Sequence, residues 1–150
     1  MSKLVKNIRL QNYNYQSSGF YFITNNTFFS KNLLDGGIKE IVRNVLFELP
    51  KKFAGVGVYY HSIMPTHIHC ILSLQDAQVT VPEVWRVFKS KTTVFARKNG
   101  LTEKHLWQPN YFEHIIRNER SLEKIVKYIH DNPFKENIPF DEIYDDRIPK

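Results

Sequence analysis

Two stretches of strand-like sequence with almost no chain between them constrain this protein most. Residues 56–63 (Val56-Gly57-Val58-Tyr59-Tyr60-His61-Ser62-Ile63) are rich in β-branched and aromatic residues. Residues 67–74 alternate, with Ile68, Cys70, Leu72 and Leu74 recurring at every second position. Only Met64-Pro65-Thr66 separates them, which is too short for a crossover and predicts an antiparallel hairpin. Side chains alternate across a strand, so one face of residues 67–74 is apolar and the other carries His67 and His69.

The remaining elements build outward from this hairpin. Residues 20–24 (Phe20-Tyr21-Phe22-Ile23-Thr24) read as a first strand, closed by Asn25 and Asn26. Residues 38–49 place Ile38, Ile41, Val42, Val45, Leu46 and Leu49 on one helical face, and Pro50 is expected to end that helix. Thr80 and Pro82 open a second helix that runs to about Lys98 and stops at Gly100. Its expected core side is Trp85, Phe88, Thr92, Phe95 and Ala96. Residues 111–116 read as a fourth strand. A third helix over residues 119–131 carries the stripe Leu122, Ile125, Val126 and Ile129, with Asn118 as N-cap and Asn132-Pro133 as terminator. The order β-α-β-β-α-β-α makes this an α+β chain. Its first six elements match a ferredoxin-like plait: an antiparallel sheet with helices on one face, followed by an extra C-terminal helix.

Composition narrows the class. The 150 residues are 42% hydrophobic and 24% charged, which fits a single domain over residues 1–150 and argues against wholesale disorder. The net charge of +6 favours a polyanionic partner. A lone cysteine, Cys70, excludes an intrachain disulfide or a cysteine zinc site and reads as a buried, inert thiol. No apolar run is long enough to span a bilayer, and the N-terminus lacks a signal-peptide core, so a cytoplasmic protein without membrane partners is expected.

Two neutral imidazoles side by side suit manganese, cobalt, nickel or zinc, whereas magnesium would need added oxygen ligands. Two ligands rarely suffice. Asn132, His130, His114 and His61 are all candidates for a third, and spacing does not choose among them. Tyr128 and Asn132 lie four residues apart, so one helical face can carry a phenol and an amide together. A phenol with a pKa near 10 is a poor nucleophile unless a cation polarises the attacked phosphate. Tyr128 is one of eight tyrosines, and Tyr111 is its best rival.

Three segments share a pattern. Met64-Pro65-Thr66-His67-Ile68-His69 resembles the Met-Pro-Asn-His-x-His signature of the HUH single-tyrosine transposases. The run from Trp107 to Arg117 is similar to a second block of that family, and Tyr128-Ile129-His130-Asp131-Asn132-Pro133 to a third. Phe88-Lys89-Ser90 fits the helix between them, and the resemblance extends over residues 8–137. The nearest branch is the REP-associated tyrosine transposases, relatives of the insertion-sequence-200 kind. The resemblance implies a DNA transposase that cuts and rejoins single-stranded DNA near a hairpin through a 5′-phosphotyrosine. It implies Tyr128 as nucleophile, His67, His69 and Asn132 as metal ligands, and magnesium or manganese as the cofactor. The neutral Asn132 implies weak metal binding without DNA. Thr66 departs from the usual Asn, but Thr also hydrogen-bonds within turns. A homodimer, with the tyrosine helix serving the partner's site, stays open.

The cations Arg86, Lys89, Lys91, Arg97 and Lys98, with Arg117, are candidate phosphate contacts, and a solvated helix face is the alternative. Trp107, Tyr111 and Phe112 are candidates for base stacking, with core packing expected for at least two of them. Two other readings stand beside the transposase. One is a domesticated, non-cleaving single-strand nucleic-acid-binding protein, which would have no need of His67, His69, Tyr128 and Asn132 together. The other is a replication initiator or relaxase-like nickase, which usually carries further domains.

Overall fold

A computed structural model of the chain describes residues 19–131. Four strands, β1 (Gly19–Asn26), β2 (Val56–Met64), β3 (His67–Leu74) and β4 (Phe112–Ile116), form one antiparallel sheet in the order β2-β3-β1-β4. Three helices join them: α1 (Gly36–Lys52), α2 (Val81–Lys98) and α3 (Glu119–Asp131). The element order is the one the sequence predicts, and β2 and β3 pair as the expected hairpin.

The sheet is buried on both faces. On one face Tyr21, Ile23, Ile68, Cys70, Leu72 and Leu74 meet Val42, Val45, Leu46 and Leu49 of α1 and Val84, Trp85 and Phe88 of α2. On the other, Phe20, Phe22, Ile71 and Ile116 meet Leu122, Ile125 and Ile129 of α3. This two-sided burial explains why β1 reads as a continuous apolar run rather than an alternating one. Cys70 is buried as expected, and desolvation pushes its thiol well above the ordinary range.

Local signals account for most of the element ends. Thr80 and Glu83 form a reciprocal capping box at the start of α2. After α2, Gly100 adopts φ 104°, and the Leu101 N–H reaches back to the Ala96 carbonyl. Asn118 caps α3, its Oδ1 accepting from the Ser121 N–H at 2.8 Å. Gly55, before β2, has φ 85°, and a Cβ there would lie 2.5 Å from the Gln75 carbonyl oxygen.

Three expectations need correction. Pro50 does not end α1, which continues to Lys52, and the Phe53 N–H still bonds the Leu49 carbonyl at 2.9 Å. A proline so near the end removes one hydrogen bond without stopping the turn. Phe95 is exposed rather than core-facing, with the Lys98 ammonium 5.9 Å from its ring centre. Finally, β4 begins at Phe112, leaving Tyr111 outside the strand.

One irregularity sets the phase of β2. Val58 pairs with Leu72, but the next pair is Tyr60 with Ile71, so Tyr59 is an extra residue in a bulge. From Tyr60 onward every side chain of β2 lies on the face opposite to the one a straight strand would give it. Two aromatic residues, Tyr59 and Tyr60, therefore line the groove beside α3.

The seating of α3 depends on Ile125, which is fully buried against the sheet. Ile125→Ala is expected to lower the unfolding free energy by about 2–5 kcal/mol in denaturant titrations. A loss below about 0.5 kcal/mol would mean that α3 is not packed as described.

Candidate functional site

The alternation along β3 places His67 and His69 on the α3 side of the sheet. Their ring centres are 4.7 Å apart, with the planes at 70°. His69 is buried, and its cross-strand neighbour on β1 is Thr24. A hydrogen bond of 2.8 Å joins Thr24 Oγ1 to His69 Nδ1. A matching bond of 3.0 Å joins Thr66 Oγ1 to His67 Nδ1. The threonine at the position where the sequence pattern has Asn thus orients the first histidine.

Tyr128 comes to the same place from α3. Its ring centre is 5.4 Å from that of His69 and 6.3 Å from that of Phe22. Phe22 stacks on His69 from β1, at 5.7 Å and 30°. Leu122, Ile125 and Ile129 hold α3 on the sheet. Tyr128 sits three residues after Ile125 and therefore follows that helix face down toward the histidines. Burial raises the Tyr128 pKa above its ordinary value, so the phenol is protonated at neutral pH.

Tyr111 is elsewhere. Its ring packs with the core on the opposite face, 6.3 Å from Trp85 and 5.7 Å from the Lys89 ammonium. Burial and the neighbouring Glu113 raise its pKa. The sheet separates Tyr111 from the histidine pair, whereas Tyr128 touches it.

The candidates for a third ligand fall in different places, with His114 on the same face of the sheet as the pair and His61 on the other. His61 pairs with Cys70, and its ring lies against Phe47 of α1, on the far face. The Tyr59 bulge causes this, because an unbroken register from Val58 would have set His61 opposite His69. His130 is exposed in the groove with Tyr59 and Tyr60, bonded to Asp131 at 3.2 Å. His114 is on β4, with β1 between it and β3, and its ring lies parallel to Phe112 at 6.1 Å. Among the described residues, no group of three His, Cys, Asp or Glu side chains is assembled for a metal. Asn132 lies outside the described residues.

The donor set nevertheless suits a divalent cation in part. With the proton on Nδ1 and donated to the threonine hydroxyl, each imidazole presents the Nε2 lone pair as its ligating atom. Nε2 of His69 is shielded from solvent. Two such nitrogens without a carboxylate form a neutral, borderline-soft site.

The proposed phosphate contacts on α2 do not act as one strip. Lys89 donates to the carbonyls of Gln108 and Pro109, both at 2.9 Å, and burial lowers its pKa. Arg97 bonds the Lys104 carbonyl. These two cations clamp the loop that leads to β4. Lys91 turns toward α1, 3.5 Å from Glu48, and Lys98 covers Phe95. Trp107 is buried, its indole N–H donating to Thr92 Oγ1 at 2.8 Å. Of the three aromatic residues considered for stacking, Phe112 is the exposed one. Thr24 and Phe22 escaped the sequence reading, although the alternation that groups the histidines also marks their cross-strand neighbours.

Comparison with known proteins identifies the family of the chain. The family described as "Transposase IS200 like" matches residues 17–132. The chain therefore belongs to the IS200-like transposase family, the single-tyrosine HUH group that includes the REP-associated tyrosine transposases. An uncharacterized protein of Haemophilus influenzae is 34% identical over 85% of this chain and 87% of its own length. A REP-associated tyrosine transposase of Escherichia coli is 37% identical over 49% of this chain and 41% of its own length. Among solved structures, a REP-associated tyrosine transposase bound to a REP hairpin superposes with a TM-score of 0.70 at 26% identity. That match covers 85% of this chain and 74% of the other. A structure from Deinococcus radiodurans, described as a putative transposase, shares the fold with a TM-score of 0.59 at 19% identity, over 81% of this chain and 95% of the other. Among the described residues no helix is long and apolar enough to cross a membrane.

Removal of His61 from the site leaves it a role in stability. Burial, then the nearby Arg43, hold its pKa below 6.5. A histidine depressed in the folded state stabilises the fold above its unfolded pKa, and that contribution is lost as pH falls through the folded value. The stability of His61→Gln relative to wild type should therefore improve as the pH is lowered from 7 into the acid range. Melting temperatures that run parallel for the two proteins over this range would contradict the assignment.

Proposed function

We propose that this chain is a metal-dependent enzyme that cuts and rejoins single-stranded DNA near a hairpin, with Tyr128 as nucleophile and His67 and His69 as metal ligands. The observation that carries the reading is the seating of the Tyr128 ring on His69, beside His67, in a chain of the IS200-like family. Asn132, four residues after Tyr128 in the sequence, is proposed as a third ligand on the family resemblance. Residues 1–150 are read as one domain. The strand order β2-β3-β1-β4, with α1 and α2 on one face, supports a ferredoxin-like plait to which α3 is added.

The residues divide the work in a definite way. His67 and His69, oriented by Thr66 and Thr24, would hold magnesium or manganese through Nε2, with DNA phosphate and water supplying oxygen donors. A bound cation would polarise the scissile phosphate and offset the charge that builds on it. The phenol oxygen of Tyr128 would bond to phosphorus as the bond from phosphorus to the 3′ oxygen breaks. The phenol gives up its proton during attack and the departing 3′ oxygen gains one. The products are a 5′-phosphotyrosine and a free 3′ hydroxyl. No water is consumed, so a 3′ hydroxyl can attack the phosphotyrosine and restore a DNA strand, as transposition requires.

The hairpin belongs to the proposal for two reasons. The structural neighbour bound to a REP hairpin covers most of this chain. The net charge of +6 favours a polyphosphate partner. Lys104, exposed beside the clamped loop, and Arg86 on α2 extend the basic surface.

Two tests follow. Wild-type protein incubated with labelled hairpin-containing single-stranded DNA and manganese should form a covalent adduct that survives denaturing gel electrophoresis. Tyr128→Phe should form none, and a chelator should abolish the wild-type adduct. An adduct that persists in Tyr128→Phe moves the nucleophile elsewhere. A protein that binds the DNA and never forms an adduct is the non-cleaving binder. Separately, Thr24→Val keeps the side-chain shape and removes the bond to His69. It should weaken manganese binding by about 10- to 100-fold in calorimetric titration while the melting temperature stays near wild type.

A further inference from the structure

One large apolar side chain stands apart from the rest of the surface. Phe29 is 71% exposed, more than any other large apolar side chain among the described residues. An exposed apolar residue alone means little. Phe29 differs in its backbone, which adopts φ 51° and ψ 27° in the left-handed region, followed by Ser30 at φ 53°. A bulky residue held there is strained, which glycine or asparagine would avoid.

The surrounding contacts maintain that strain. The Phe29 N–H donates to Gln108 Oε1 at 3.1 Å. The Phe28 N–H donates to the Leu106 carbonyl at 3.0 Å. Thr27, buried at the foot of the turn, donates its hydroxyl to the Lys31 carbonyl at 2.6 Å, closing the turn on itself. Phe28 lies against Phe29 at 4.5 Å and against His105 at 5.1 Å. The result is a small aromatic shelf whose outermost ring faces solvent.

Its position ties it to the histidine end of the sheet. Asn26, the last residue of β1, pairs with His67. The next residue, Thr27, donates its N–H to the carbonyl of Thr66 at 2.9 Å, and Thr66 is the residue that orients His67. Lys31, paired to Glu103 at 3.0 Å, ends the turn, and Lys104, exposed, precedes His105, whose ring meets Phe28. An exposed aromatic ring with lysines in the adjoining segments suits an unpaired nucleotide, the ring meeting the base and a lysine the phosphate.

We propose that Phe29 is a stacking platform for an unpaired base of the DNA strand that enters the His67–His69–Tyr128 site. The proposal rests on the DNA-cleaving reading above. It assigns recognition of the single-stranded segment to the turn after β1.

The test uses the full chain and a labelled DNA hairpin, with and without a single-stranded extension, followed by fluorescence anisotropy. Phe29→Ala should lose about 5- to 150-fold in affinity for the extended hairpin, and Phe29→Tyr should stay within about twofold of wild type. Affinity for the blunt hairpin should be the same in all of them. Phe29→Gly, whose backbone suits the left-handed turn, should melt no lower than wild type and lose affinity as Phe29→Ala does. The inference fails if both variants bind the extended hairpin like wild type, which would leave the ring to a protein partner. It also fails if the loss is equal on the blunt hairpin. A wild type that forms the Tyr128 adduct, with Phe29→Ala binding equally well, overturns this inference alone. A wild type that binds neither DNA overturns the cleavage reading and this inference together.

Discussion

The period-two alternation of β3 is the constraint on which the rest of the structure depends. It sends Ile68, Cys70, Leu72 and Leu74 into the core with α1 and α2. The same alternation leaves His67, His69 and Ile71 on the other face, where Ile71 joins the contact with α3. A shift of one residue in the pairing of β3 would turn both histidines into the larger core and send four apolar side chains to the α3 face. The core therefore fixes the register, and the register fixes the site. The imidazoles tolerate a position at the edge of a packed face because threonine hydroxyls partner their Nδ1 atoms.

The third helix turns that face from a surface into a site. Leu122, Ile125 and Ile129 are attached to the sheet by apolar contact alone, and the same contact delivers Tyr128 to His69. The phenol is half-buried, which raises its pKa above the ordinary value. Packing, orientation and protonation state thus have one cause. The opposite face shows the contrast. There Tyr111 is packed with Trp85 and Lys89, and the cations of α2 secure the loop before β4. Lys89 and Arg97 thus make backbone contacts within the fold.

Much of this was legible in the sequence because it rests on local rules. Helical spacing marked α1, α2 and α3, and capping chemistry marked Thr80, Gly100 and Asn118. Alternation along residues 67–74 alone groups His67 with His69. What was not legible depends on contacts between distant residues. The bulge at Tyr59 inverts the end of β2 and carries His61 away from His69, and nothing in Val58-Tyr59-Tyr60 announces it. Thr24 and Phe22 join the site only through strand pairing. Residues of α2 that share a positive charge serve different neighbours, which spacing alone does not reveal. Tyr128 was one tyrosine among eight until family resemblance singled it out, and its ring contact with His69 is independent support. Asn132 lies outside the described residues, and its role as a ligand stands on resemblance.

The central claim is that His67, His69 and Tyr128 form one divalent-metal site on the α3 face. A manganese titration of labelled protein, followed by paramagnetic broadening of side-chain NMR signals, tests it directly. The account predicts early broadening of the His67, His69 and Tyr128 ring signals, with those of His61 and Tyr111 sharp at the same metal level. Broadening that begins at His61 or Tyr111, or that spares the His67–His69 pair, would contradict it.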